Sequence, residues 1–159
     1  MILTHWIINK KAVKRIREVY LYEKYNDVKV NDDGTRVLVY NYNAFEVFDK
    51  ELNQKGAAKE LKMRYPNTDY DTTSFYDMKI LSGVDFVINH DNGSSNIAMW
   101  DYSGNIAGSF VDPDGRSLYS VTPCKGTTVM FYKTTLDWTQ NIICTIDIKG
   151  GKVVECYTT

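Results

Sequence analysis

The chain of 159 residues carries 19 basic and 20 acidic side chains, for a formal charge of −1. It therefore lacks the net basic surface that nucleic acids and anionic membranes require. Its length suits one domain over residues 1–159, large enough to bury a core without a disulfide or metal staple.

In chain order, the apolar opening Met1 to Ile8 is too short to cross a bilayer. It contains a strand at Leu3–Ile8, and a second strand follows at Arg15–Glu23. Between them the basic stretch Lys10 to Arg17 reads as a solvated turn. Three similar units then follow. The first has strands at Val28–Val30, Thr35–Tyr40, Phe45–Asp49 and Ala57–Tyr65; the second at Phe75–Ile80, Val84–Ile88, Ile97–Asp101 and Ile106–Val111; the third at Ser117–Val121, Thr127–Tyr132, Ile142–Asp147 and Lys152–Tyr157. Aromatic and β-branched residues crowd these segments, and such side chains favour a pleated, half-buried surface. Turn residues punctuate them: Asn31-Asp32-Asp33-Gly34, Asp91-Asn92-Gly93, Tyr102-Ser103-Gly104-Asn105, Asp112-Pro113-Asp114-Gly115 and Lys149-Gly150-Gly151. Two landmarks recur. A glycine (Gly34, Gly83, Gly126) opens the second strand, and an aspartate (Asp49, Asp101, Asp147) ends the third, 15, 18 and 21 residues later.

Asn9–Tyr22 and Gly56–Arg64 can also be read as helices, because Ala, Glu, Leu, Lys and Met are good helix formers and Asn9 is a cap. The fold class expected is all-β, built of antiparallel four-stranded meanders; the alternative is α+β with one antiparallel sheet and one or two helices.

The four-strand pattern resembles the blades of a β-propeller of the broad WD40 and kelch-like type, in which the third-to-fourth hairpin often follows a Trp-Asp pair. Trp100-Asp101 matches that pair, whereas the sister units have Phe48-Asp49 and Ile146-Asp147. The resemblance implies a partial propeller of about three and a half blades, counting the two N-terminal strands as half a blade. Each sheet of such an array must be shielded on both faces, so apolar runs such as Arg36–Tyr40 and Ile142–Ile146 should be buried on both sides. An incomplete ring also implies closure by self-association, with a dimer the simplest symmetric choice.

The resemblance places a binding surface at one end of the blades. That end would hold Asn41-Tyr42-Asn43, Tyr65 to Thr73, His90-Asp91-Asn92, Asp112-Pro113-Asp114 and Asp137-Trp138. Tyr42, His90, Asp91, Asp112, Asp137 and above all Trp138 are the candidate contact residues, since a large aromatic in a polar loop makes a good anchor. The function implied is a non-enzymatic protein-interaction module. A carbohydrate-binding propeller is one alternative, with Trp and Tyr stacking on sugars; a small α+β hydrolase using His90 is another. No Walker loop, GxGxxG, GxSxG or HExxH occurs, and the run beginning at Asp112 has Pro123 where a calcium loop needs its glutamate. Cys124, Cys144 and Cys156 are widely spaced with no CxxC, so they read as buried reduced thiols of a cytoplasmic protein, with no metal and no cofactor.

Overall fold

The structure is a computed structural model that describes residues 27–41, 44–58, 77–90 and 94–158. The two N-terminal strands, the helical alternative over residues 9–22, Tyr42, Asp91 and the segment 65–73 lie outside these residues. Twelve strands are present among them: β1 Asp27–Val30, β2 Arg36–Tyr40, β3 Phe45–Asp49, β4 Gln54–Ala58, β5 Met78–Ile80, β6 Phe86–Asn89, β7 Asn96–Asp101, β8 Ile106–Val111, β9 Tyr119–Pro123, β10 Thr128–Thr134, β11 Asn141–Asp147 and β12 Lys152–Thr158. They form three four-stranded antiparallel meanders, each in chain order, and the described residues contain no helix. The fold is all-β and propeller-like.

The three sheets share one register. Arg36 pairs with Asp49, Phe86 with Asp101 and Thr128 with Asp147. Each sheet also has a register shift at the same place in its third and fourth strands: Val47/Phe48, Met99/Trp100 and Thr145/Ile146. Such an irregularity bends the strand and increases its twist. Gly34, Gly83 and Gly126 all have φ between 63° and 75° with open space where a Cβ would stand, so backbone conformation alone demands glycine there.

The aspartates build the third-to-fourth turns. Asp49 Oδ1 accepts the backbone N–H groups of Glu51 (3.0 Å) and Asn53 (2.8 Å), while Oδ2 accepts the Asn53 side chain at 3.0 Å. Asp101 repeats the pattern with Ser103, Asn105 and the Asn105 side chain, each at 2.9 Å. Asp147 keeps one such bond, from the Lys149 N–H at 3.2 Å, and adds the Thr127 hydroxyl at 2.6 Å. Because each turn closes at once, the fourth strand starts five residues after its aspartate, at Gln54, Ile106 and Lys152. The fourth strand therefore begins at Gln54 rather than at the expected Ala57, and Gly56–Ala58 of the helical alternative is strand, while residues 59–65 of both expectations lie outside the described residues.

Two apolar cores join the sheets. Leu38, Tyr40, Phe45 and Val47 of the first sheet share a cluster with Met78, Ile80, Val87 and Trp100 of the second. Ile88, Ile97, Met99 and Phe110 share another with Val121, Val129, Phe131, Cys144 and Ile146 of the third. The middle sheet is thus covered on both faces. The third is not: β10 alternates between buried and exposed residues along its length, and β12 is exposed throughout. Burial on both sides therefore holds for Arg36–Tyr40, apart from the half-buried Arg36, but only half-way for Ile142–Ile146.

Cys144 and Cys156 are directly opposed across β11 and β12 and form a disulfide, while Cys124 is free and exposed. This corrects the expectation of three reduced, buried thiols. The register shift at Thr145/Ile146 is the reason, since an unbroken ladder from Asp147 opposite Lys152 would set Glu155 against Cys144.

Candidate functional site

The second-to-third hairpin of the third sheet differs from its counterparts in reach. Tyr132 opposite Ile143 corresponds to Tyr40 opposite Phe45, where pairing in the first sheet ends. In the third sheet two further pairs follow, Lys133 with Ile142 and Thr134 with Asn141. At about 3.4 Å per residue this lifts the turn by roughly 7 Å.

The raised turn is closed by its own polar groups. Thr135 and Gln140 are joined by a backbone bond of 2.9 Å, and the Trp138 N–H donates to the Thr135 carbonyl at 3.0 Å. The Thr135 hydroxyl donates to Asp137 Oδ1, and the Thr139 N–H (3.2 Å) and hydroxyl (2.8 Å) do the same. These bonds, the Thr135 hydroxyl foremost, hold the Asp137 carboxyl below its usual pKa. Above this frame stand Leu136, 75% exposed, and Trp138, 72% exposed with φ of 60°. That φ belongs to the left-handed region, where a side chain with a Cβ is strained.

A buried ion cluster braces the hairpin at its base. Asp112, at the start of the β8–β9 connection, is buried, and its Oδ1 accepts the ammonium of Lys133, which is also buried. Asp112 Oδ2 caps its own loop by accepting the N–H groups of Asp114 (3.2 Å) and Arg116 (2.9 Å). The Arg116 guanidinium then spans two elements, donating from Nη1 to the Thr134 carbonyl (2.7 Å) and from Nη2 to Asp114. Arg116 is also the main reason that the Asp114 carboxyl sits below its usual range. The connection between the second and third sheets is thereby tied to the last rung of the projecting hairpin.

Of the candidate contact residues, Asp112, Asp137 and Trp138 come together on this one unit, with Asp112 at the base and the other two at the tip. His90 stands apart. It is 2% exposed, at the register that Tyr40 and Tyr132 hold in the other sheets, and its backbone N–H bonds the Asp77 carbonyl at 3.3 Å. Burial, reinforced by the Lys79 charge and opposed by Asp77, depresses the His90 pKa. Arg116, Lys133 and Leu136 escape a reading by motif. Lys133 shows itself only through register, as an ammonium at an inward position of β10. No cluster of His, Cys, Asp and Glu able to hold a metal occurs among the described residues. No helix among them is long and apolar enough to cross a membrane.

No protein-family model and no curated protein matches the chain. Among solved structures it is similar to hydrazine synthase of Kuenenia stuttgartiensis (18% identity, 82% of this chain and 36% of that one, TM-score 0.48). It is likewise similar to the Dos1 propeller (14% identity, 82% and 33%, TM-score 0.48). A third similar structure is the WD40 β-propeller domain of Doa1 (13% identity, 77% and 36%, TM-score 0.45). The chain spans about a third of the length of each of these chains. Its three sheets, alike in strand order, register and turn chemistry and joined through shared apolar cores, resemble the blades of a β-propeller.

Proposed function

We propose that the chain is a non-enzymatic protein-interaction module whose contact element is the hairpin tip Leu136-Asp137-Trp138, with the Asp112–Lys133–Arg116 cluster as its rigid footing. The observation that carries this reading is Trp138 itself. It holds a left-handed turn position of the kind that Gly104 and Gly151 fill in the third-to-fourth turns of the second and third sheets and the buried Leu52 fills in the first, yet it presents most of an indole to water. An aromatic kept where glycine would be unstrained, and left uncovered, is explained by what it touches outside the molecule. Two apolar side chains flanking a carboxylate suit a partner with an apolar pocket and a nearby N–H or cationic group. Asp112 serves this surface from within, by fastening the hairpin that carries it through Lys133 and Arg116.

The test is quantitative capture from lysate of the source cell with the wild-type chain, Trp138→Gly and, as a control, the exposed Val154→Ser on β12. Proteins retained by wild type and Val154→Ser but lost by Trp138→Gly support the proposal. A capture profile that Trp138→Gly leaves intact refutes it.

A further inference from the structure

The register shared by the three sheets allows their outward faces to be compared residue by residue. The face that the first sheet turns toward the second carries Leu38, Tyr40, Phe45 and Val47, all buried. The second sheet turns toward the third with Ile88, His90, Ile97 and Met99, again all buried. At the same positions the third sheet has Met130, Tyr132, Ile143 and Thr145, and here Met130 is 40% and Tyr132 36% exposed.

The joint between sheets depends on the fourth strand. A Cβ on Gly56 would lie 2.4 Å from the Cβ and carbonyl oxygen of Tyr102 in the next sheet's turn. On Gly108 it would lie 2.6 Å from the carbonyl oxygen of Ile148 in the turn after that. Both glycines therefore make room for the following sheet. Gly56 pairs with Val47 and Gly108 with Met99; the residue that pairs with the corresponding Thr145 is Glu155. A glutamate thus fills the socket, on the same face as Tyr157 opposite Ile143. Tyr119 stacks on Tyr132 at 5.2 Å, so the aromatic groups of this face are turned to one another. The disulfide falls in this same sheet, at rungs occupied by Glu46 and Ala57 in the first and Ala98 and Ser109 in the second.

From the filled socket and the staple, we infer that the third sheet is a capping blade. No second copy docks on it by the packing that joins the first three, because Glu155 stands where Gly56 and Gly108 make room for the next sheet's turn. The dimeric closure expected from an open array therefore does not run through this face. The disulfide supplies to β12 the hold that a following sheet would have given. This surface is separate from the Trp138 tip, so either reading can fail without the other.

The experiment compares the full chain with Tyr132→Lys and Met130→Lys by sedimentation velocity and thermal melting, and follows amide exchange with and without reductant. An exposed face predicts an unchanged sedimenting mass and a Tm within about 2 °C of wild type, since surface substitutions stay within about 0.5 kcal/mol. Reduction should speed exchange in residues 152–158 at least about tenfold while leaving 54–58 and 106–111 unchanged, as expected when a staple holds one local unit. A wild-type oligomer that either lysine dissociates, or a Tm drop beyond about 8 °C in both variants, overturns the inference. So does exchange in β12 that reductant leaves unaltered.

Discussion

Replacing Trp138 by glycine should leave the fold almost as stable as before, an unusual outcome for deleting the largest side chain. Three terms decide it. Releasing a Cβ from the left-handed region at φ of 60° gains roughly 1–2 kcal/mol. The extra freedom of glycine in the unfolded chain costs about 0.5–1 kcal/mol. At 72% exposed, the indole has at most about 70 Å² in contact with the protein, or about 1.7 kcal/mol at 25 cal/mol per Å², an upper bound. The sum lies within about 1.5 kcal/mol of zero, whereas a buried tryptophan would cost about 3–5 kcal/mol on truncation. Differential scanning calorimetry should therefore place the variant's Tm within about 5 °C of wild type for a chain of this size. Trp138→Asn, which tolerates positive φ without glycine's entropy, should be at least as stable. Affinity for a captured partner, measured by biolayer interferometry, should fall about thirtyfold or more, the equivalent of a 2 kcal/mol contact. A Tm drop beyond about 8 °C would show that the ring is packed rather than presented, and the reasoning from strain to contact would be refuted.

Three other perturbations test the scaffold beneath the tip. Asp112→Asn leaves the buried Lys133 ammonium without its counter-charge and should cost about 3–5 kcal/mol in urea melts, with Asp112→Asn/Lys133→Met recovering much of the loss. Gly56→Ala and Gly108→Ala press a methyl into the next sheet's turn backbone and should cost about 1–3 kcal/mol each, whereas Gly83→Ala meets open space and pays only for its φ of 75°, about 1 kcal/mol. Asp49 gives a pH signature. Burial opposes ionisation there, but the Asn53 bonds outweigh it and hold the pKa at about 2, against an ordinary aspartate value of 3.8. A folded-state pKa below the unfolded one means that the stabilisation is complete above the unfolded value and fades as pH falls through about 2. Acid-unfolding curves of wild type and Asp49→Asn should accordingly differ near neutrality and converge below pH of about 2, and a gap that persists there would count against the turn's charge.

Much of this architecture could be read from the residues, and the misreadings have traceable causes. The glycine and aspartate landmarks were visible because each answers a local demand: positive φ in one case, a carboxylate over two amides in the other. The start of β4 was misplaced because Gln54 and Lys55 look like a loop, yet the Asp49–Asn53 turn is complete by Asn53 and leaves no residues to spare. The first strand of the third sheet begins at Tyr119 rather than Ser117 because Arg116 is held by Asp112 and the Leu118 N–H is spent on the Ser94 carbonyl at 2.8 Å. His90 looked like a loop residue beside Asp91. Counting back from Asp101 along the shared register would instead have placed it level with Tyr40, in the contact between sheets. The disulfide was illegible for a different reason: it depends on one extra residue in β12, and an alternation pattern in a fully exposed strand carries no signal of register.

The recurrent aspartate, half of a Trp-Asp pair in the second sheet alone, is better understood as part of a joint than as part of a site. Its carboxylate closes the turn at the rung where the ladder slips, and together these fix the direction taken by the residues just beyond. In the second sheet that residue is Tyr102, which meets Gly56; in the third it is Ile148, which meets Gly108. Each joint thus needs an aspartate turn on one sheet and a glycine on the sheet before it, and neither half has a function without the other. Lys50, which follows Asp49 at the opposite end of the described array, is exposed, as Glu155 is in the third sheet. Charge occupies the joint position at both ends of the described stack, while Tyr102, Ile148 and the two glycines occupy it inside.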